Sequence, residues 1–349
     1  MLKGSGMNQE PLQIRPPYLL FIGDVKDALA AKTSNGIARW RPEWCVGQFR
    51  YPGCEISLGL EDLSLEEAYA RGARTLIIGV ANPGGVMAEH WKETISQALE
   101  IGYDIASGLH DRLNDDPRLV ARASELGRQL LDVRYATFKC PVGNGKKRSG
   151  KRMLTVGTDC SVGKMFTTLA IHRAMQARGL AADFVATGQT GIFISGKGAS
   201  IDAVISDFIS GVVEALAPDH PDPDHWYLIE GQGSLFHPSY AGVSLGLLHG
   251  AQADALILCH DPNRSHMRGL PHYPLPSLAE CIRYNEEAAR LTSPHARVVG
   301  ISINTSHLNE ADALEYLAAV EAGHRLPATD AYRFGADKLV DAILCAGNR

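Results

Sequence analysis

Residues Met153–Ala170 read MLTVGTDCSVGKMFTTLA. An apolar run from Met153 to Val156 enters a loop, Gly157-Thr158-Asp159-Cys160-Ser161-Val162-Gly163-Lys164, and the stretch from Lys164 to Arg178 has helix-forming composition. Strand, glycine loop and helix in that order form a phosphate-gripping device. Glycines let backbone N–H groups converge on the anion, the lysine reaches the outer phosphates, and the helix start adds donors and the positive end of its dipole. The pattern predicts a P-loop whose binding residues run from Gly157 to Met165. It also predicts that the sheet around it is parallel.

Two features set this loop apart from the usual form. Five residues separate Gly157 from Gly163, where four are usual, and that spacing resembles dethiobiotin synthetase, a P-loop enzyme. Met165 and Phe166 stand where a Ser or Thr hydroxyl would hold magnesium, leaving Thr167 and Thr168 further along the helix. Phosphate binding survives that change better than metal-dependent hydrolysis does.

Downstream, a β-then-α rhythm continues through strands at Asp183–Thr187, Trp226–Ile229, Ala255–Cys259 and Val298–Ile303. Helices are expected over Ile201–Leu216, Ser277–Leu291 with a Ser277/Glu280 capping box, and Asn309–Ala322. Strands apolar throughout and separated by helices point to a parallel sheet covered on both faces. Ligands of such sheets sit beyond the strand carboxyl ends, which selects further candidates. Glu230 ends a strand before a glycine turn, suited either to metal or water coordination or to capping the local backbone. His260, Asp261 and Arg264 follow the next strand, and Asn304 follows VVGISI, able to read a base edge or to form a plain turn. Lys197 closes ATGQTGIFISGK (Ala186–Lys197), read as turns around a strand end, and meets either an anion or solvent. His266 and His272 match no zinc spacing, and no metal site is expected from them.

In the first half, Tyr18–Ile22 and Thr75–Val80 read as strands, the second leading into Asn82-Pro83-Gly84-Gly85. A Ser64/Glu67 capping box, a helix from Met87 to Glu100 closed at Gly102, a strand within Gly102–Gly108, and a helix from Asp116-Pro117 to Gly127 complete a small Rossmann-like pattern. It lacks the full G-x-G-x-x-G fingerprint, so nicotinamide binding is not indicated. His110, the last residue of DIASGLH, is the candidate side chain here if the two domains face each other across a cleft. The expected division is a flexible tail at 1–17, a Rossmann-like domain at 18–142, a solvated, basic, glycine-rich linker at 143–152 (GNGKKRSGKR), and a P-loop domain at 153–349. The fold class is α/β, an N-terminal Rossmann-like domain followed by a P-loop NTPase-like parallel-sheet domain.

The 349 residues are 45% hydrophobic and 21% charged, a globular balance that suits two domains. A net charge of −5 argues against general nucleic-acid binding. Seven scattered cysteines form no C-x-x-C pair, which argues against a disulfide framework or zinc ribbon. No apolar run approaches signal-peptide or membrane-spanning length, so a cytoplasmic protein is expected. The sequence allows a homo-oligomer without fixing one.

Six motifs in order, DIASGLH (Asp104–His110), GTDCSVGKM (Gly157–Met165), DFISGVVEAL (Asp207–Leu216), LIEGQGSLFHPSY (Leu228–Tyr240), LCHDPNR (Leu258–Arg264) and VVGISINT (Val298–Thr305), resemble the D-glutamate N-acetyltransferase-like family, formerly a domain of unknown function. The resemblance spans from about Leu19 to the C-terminus. It implies a Rossmann-like domain joined to a P-loop domain related to dethiobiotin synthetase, with Gly-Lys-Met as the family's own loop ending. Phe166 departs from the threonine expected there. The activity implied is acetyl transfer from acetyl-CoA to an acidic amino acid such as D-glutamate. Within that reading Lys164 and the loop hold coenzyme phosphates without magnesium, Arg264 is the candidate for the acceptor carboxylate, and His260 is the candidate base. A Mg-ATP-dependent ligase or kinase is the first alternative, and a nucleotide-sensing or scaffold protein without turnover the second.

Overall fold

The computed structural model describes residues 12–27, 30–80, 87–135 and 139–347. The chain divides into two compact units, one of Met1–Lys139 with Gly188–Ala203, the other of Cys140–Thr187 with Val204–Arg349. The stretch 188–203, expected within the P-loop domain, clusters with the first unit.

The first unit is built on five parallel strands: β1 (Tyr18–Gly23), β2 (Cys45–Arg50), β3 (Thr75–Ile78), β4 (Asp104–Ser107) and β5 (Leu130–Asp132), in the order β2-β1-β3-β4-β5. β1 and β3 are buried along their whole length, as continuous apolar runs in the middle of a parallel sheet should be. The connecting helices are α1 (Lys32–Trp40), α2 (Leu65–Ala70), α3 (Glu89–Ile101) and α4 (Pro117–Leu126). Their ends follow the sequence. Ser64 and Glu67 form the capping box, Asp116 caps α4 ahead of Pro117, and Gly102 (φ 115°) and Gly127 (φ 62°) take the left-handed positions that close α3 and α4. The core gathers Phe21, Ile78, Trp91, Ile95, Leu99 and Tyr103.

In the second unit, β6 (Lys151–Gly157), α5 (Lys164–Ala177) and β7 (Ala182–Val185) open the pattern. The next helix, α6 (Gln189–Ser195), is the one that clusters with the first unit, where it packs on α1. Then follow α7 (Ile209–Leu216), β8 (Trp226–Ile229), α8 (Ala241–Ala251), β9 (Ala255–His260), the hairpin of β10 (His266–Met267) and β11 (Leu270–Pro274), α9 (Leu278–Arg290), β12 (Val298–Ile303), α10 (Glu310–His324), β13 (Ala328–Thr329) and α11 (Asp337–Gly347). The main sheet is fully parallel, in the order β13-β12-β9-β6-β8-β7.

Several expectations change. Residues 143–152 are solvated only in part: Asn144–Lys147 and Ser149 are exposed, whereas Arg148 and Arg152 are buried. Arg152 donates to the carbonyls of Arg148, Ser149, Gly150, Ala217 and Pro218, and Arg148 to those of Glu214, Ala217, Gly250 and Ala251. The guanidinium fork satisfies peptide oxygens that would otherwise be buried without donors. Of the tail at 1–17, residues 1–11 lie outside the described residues, while Ile14 is buried and its N–H donates to Gly196 O at 2.9 Å. Ile201–Leu216 is not one helix. Two short turns, at Ile201–Ala203 and Ser206–Phe208, precede α7, in a stretch where Ser200, Asp202, Ser206 and Asp207 compete with helical hydrogen bonding. The segment read as turns around a strand end contains α6. The Asn82–Gly85 turn lies outside the described residues.

Candidate functional site

β6 lies between β9 and β8, with β12 beyond β9. That order brings the loop after β6, His260 at the end of β9, Glu230 just past β8 and Asn304 just past β12 to one carboxyl edge. The loop's glycines are required by geometry. A side chain at Gly157 would press on Lys164 Nζ and Val162, Gly163 adopts φ 96°, and a Cβ at Gly231 would sit inside the Thr155 carbonyl. Ser161 takes a left-handed φ of 54° without being glycine. Among the described residues, none accepts a hydrogen bond from the amides of Ser161, Val162 or Gly163. Those donors stand just before the start of α5, where a helix N-terminus attracts anions.

Lys164 is buried, and its Nζ donates to Asp159 O at 2.8 Å. Burial holds its ammonium below the usual lysine range, with Cys160, Cys259 and Asp159 opposing that shift. An incoming phosphate would supply the anion this ammonium lacks.

Asp159 is fully buried. One oxygen accepts from Cys160 N at 2.6 Å; the other accepts from Arg264 Nη1 at 2.8 Å and from Arg268 N at 2.8 Å. Arg264 also donates to the Cys160 carbonyl at 2.6 Å and the Ser161 carbonyl at 2.8 Å, and stands 3.5 Å from Asp261. Arg268 bonds the Ser161 hydroxyl. The loop is therefore clasped at Asp159 and at its Cys160 and Ser161 carbonyls by residues that follow β9. The sequence marked Arg264 but not Arg268, because no spacing rule ties an exposed arginine eight residues past the end of β9 to a loop about a hundred residues earlier.

His260 Nδ1 lies 3.0 Å from Thr158 Oγ1, and Thr158 N donates to Cys259 O at 3.0 Å, sewing loop to strand. Burial holds the His260 pKa below the usual value, with Arg264 adding to the shift and Asp261 opposing it. Asn304 receives Ser306 N at 3.2 Å and reaches Asp261 at 3.5 Å. Glu230 is buried; its carboxylate accepts from Thr187 N at 3.1 Å and from Gln232 Nε2 at 3.1 Å. These bonds fit the backbone-capping reading.

Past Lys164, Met165 offers no oxygen donor. Thr167 turns to Ser302 at 2.8 Å, and Thr168 to Lys164 O at 2.9 Å and Thr155 at 3.0 Å. Phe166 meets Tyr332 edge-on. Among the described residues, one group could surround a cation: Asp159, Cys160 and His237, whose ligand atoms lie within 4.8 Å of one another. Both His237 nitrogens are engaged, by Arg268 O and Ser239 N, and Asp159 is held by arginine. Lys197 and His110 belong to the first unit, where both are exposed, and the loop of the second unit does not include them. No described helix is long and apolar enough to cross a membrane.

Residues 141–340 match a domain of unknown function described as the DUF1611 C-terminal P-loop domain, and residues 52–136 match the DUF1611 N-terminal Rossmann-like domain. A protein of Tritonibacter scottomollicae named D-glutamate N-acetyltransferase is 56% identical over 95% of this chain and 99% of its own length. One of Pseudoalteromonas sp. with the same name is 50% identical over 96% of this chain and 100% of its own. The crystal structure of a DUF1611 family protein from Anabaena variabilis superposes with a TM-score of 0.85 at 34% identity, covering 95% of this chain and 100% of that one.

Proposed function

The chain belongs to the DUF1611 family, and from that membership we propose that it is a P-loop enzyme that transfers an acetyl group from acetyl-CoA to the amine of D-glutamate. The observation that carries the reading is a cradle with an unmet need for an anion and no metal arm: open amides at Ser161–Gly163, a buried Lys164, and Met165 where a hydroxyl would hold magnesium. Coenzyme A brings a pyrophosphate and a ribose phosphate, which need donors and positive charge and are not cleaved in the reaction. The thioester it carries is already activated, so no protein nucleophile is required.

Within this reading the loop from Gly157 to Lys164 binds phosphate, and Thr158, His260 and Arg264 set its shape. Arg264 and His260 entered as candidates for acceptor clamp and base. The bonds of Arg264 to Asp159 and the loop carbonyls, and of His260 to Thr158, favour a positioning role for both. Glu230 pins the Thr187 turn beside them. The acidic acceptor and its D configuration come from the relatives' name.

The test is release of free thiol from acetyl-CoA with D-glutamate, L-glutamate and D-aspartate in separate reactions containing EDTA. Thiol release with D-glutamate supports the reading. No release with any of the three, or ADP formation from Mg-ATP in their presence, overturns it.

A further inference from the structure

The hairpin after β9 carries an arginine to the phosphate loop by its main chain. Met267 pairs with Leu270, so Arg268 and Gly269 form the two-residue turn between β10 and β11, with Gly269 at φ 78°. Met267, just before the turn, is fully buried. The Arg268 main chain is held twice: its N–H donates to the buried Asp159 carboxylate at 2.8 Å, and its carbonyl lies 3.2 Å from His237 Nε2. His237 is buried and its Nδ1 accepts from Ser239 N at 3.2 Å, which leaves Nε2 as the nitrogen that donates.

The Arg268 side chain has no comparable engagement. It is exposed, and among the described residues its guanidinium bonds the Ser161 hydroxyl and pairs with no carboxylate. Arg264 is the contrast, taken up by Asp159 and by the carbonyls of Cys160 and Ser161. A guanidinium keeps its charge and offers five N–H donors in a fixed fork. Here that fork meets a neutral oxygen, and because this oxygen accepts from Arg268, its own hydrogen is left to donate. Ser161 is also the first of the three residues whose amides lack an acceptor. Across Ser161, Val162 and Gly163, φ runs 54°, negative, 96°, the alternation by which successive N–H groups turn toward one anion. Burial pushes the Cys160 thiol up, with Asp159 adding to the shift and Lys164, Arg268 and Arg264 opposing it, so three cations gather round this residue of the loop. The carboxylates of Asp159 and Asp261 both pair with Arg264. Among the described residues, the side chains of Lys164 and Arg268 have no carboxylate partner.

We propose that Arg268 is a phosphate-binding residue and that the loop takes a diphosphate, one phosphate on the amides of Ser161–Gly163 with Lys164, its neighbour on the Arg268 fork and the Ser161 hydroxyl; this rests on the phosphate-holding part of the acetyl-CoA reading. A buried cation inside the loop and an exposed one beside Ser161 suit a ligand with two charged centres. The pyrophosphate of coenzyme A and that of a nucleoside diphosphate share this chemistry.

The test is titration calorimetry of the full chain in EDTA with inorganic phosphate and inorganic pyrophosphate. Wild type binds pyrophosphate the more tightly. Arg268→Ala weakens pyrophosphate about tenfold and phosphate less than about twofold, and Arg268→Lys recovers only part of the loss because it lacks the fork. The denaturant midpoint of Arg268→Ala stays at the wild-type value, since Asp159 and His237 hold its main chain. Pyrophosphate binding that is unchanged in Arg268→Ala, equal losses for the two probes, or no binding of pyrophosphate to wild type overturns the proposal. Acetyl-CoA and ADP titrated into the same proteins identify the source: a loss confined to one names it, and no loss with either overturns the proposal. If pyrophosphate binding depends on Arg268 while wild type releases no thiol from acetyl-CoA, the acetyl-transfer reading fails and Arg268 keeps its role. If thiol is released while Arg268→Ala binds pyrophosphate normally, the reading stands and Arg268 loses that role.

Discussion

The two parallel sheets carry polar groups at their carboxyl edges in opposite ways. In the second unit, Asp159 is fully buried and Arg264 closes on it and on two loop carbonyls, so the phosphate loop is shaped before any ligand arrives. In the first, Asp24 and His90 meet half in solvent, aimed by aromatic neighbours. A buried network of charge ties folding to loop shape, whereas an exposed pair leaves stability almost untouched.

That contrast can be broken by mutation. The largest loss is expected from Arg152→Ala, which removes a buried guanidinium from five carbonyls around the start of β6 and lowers unfolding free energy by about 4 kcal/mol. Denaturant melts measure it, and a loss below about 1 kcal/mol would return residues 143–152 to the status of a linker. Arg264→Ala leaves Asp159 buried without its cation and costs about 3 kcal/mol in the same assay. Asp24→Asn, the matched change in the first unit, costs under about 1 kcal/mol. Equal losses in these two variants would dissolve the comparison.

A smaller effect follows from His260. Its folded pKa is depressed by burial from 6.5, so the stability linked to it is present above about pH 6.5 and fades as pH falls through the folded value. His260→Asn should flatten that part of the unfolding profile between neutral and acidic pH. The smallest change in stability is expected for Met165→Thr, within about 0.5 kcal/mol, but it restores a hydroxyl at the start of α5. Magnesium should then strengthen nucleotide binding to the variant while leaving wild type unaffected, as read by thermal shift.

Much of this architecture was legible in the sequence. Strands such as Trp226–Ile229 and Val298–Ile303 and the capping boxes at Ser64 and Ser277 coincide with the observed elements, because apolar runs and caps act locally. The phosphate loop was legible for the same reason: its glycines, lysine and helix start are contiguous. What was illegible depends on distant partners. Arg148 and Arg152 look solvated in GNGKKRSGKR, because their acceptors are carbonyls around 217 and 250. The helix at Gln189–Ser195 hid behind glycines and threonines, and β2, with only its two central residues fully buried, gave too weak an alternation to be placed. Asp24 and His90 lie 66 residues apart and meet only because β1 and β3 are neighbours.

The central claim is that the loop holds coenzyme phosphates by amides and Lys164 without a metal, and titration calorimetry of acetyl-CoA into the full chain tests it most directly. Binding of equal strength in magnesium and in EDTA, weakened at least about tenfold by Lys164→Ala and weakening as pH rises through the depressed lysine pKa, is the predicted result. Binding that requires magnesium, or that survives Lys164→Ala unchanged, would contradict it.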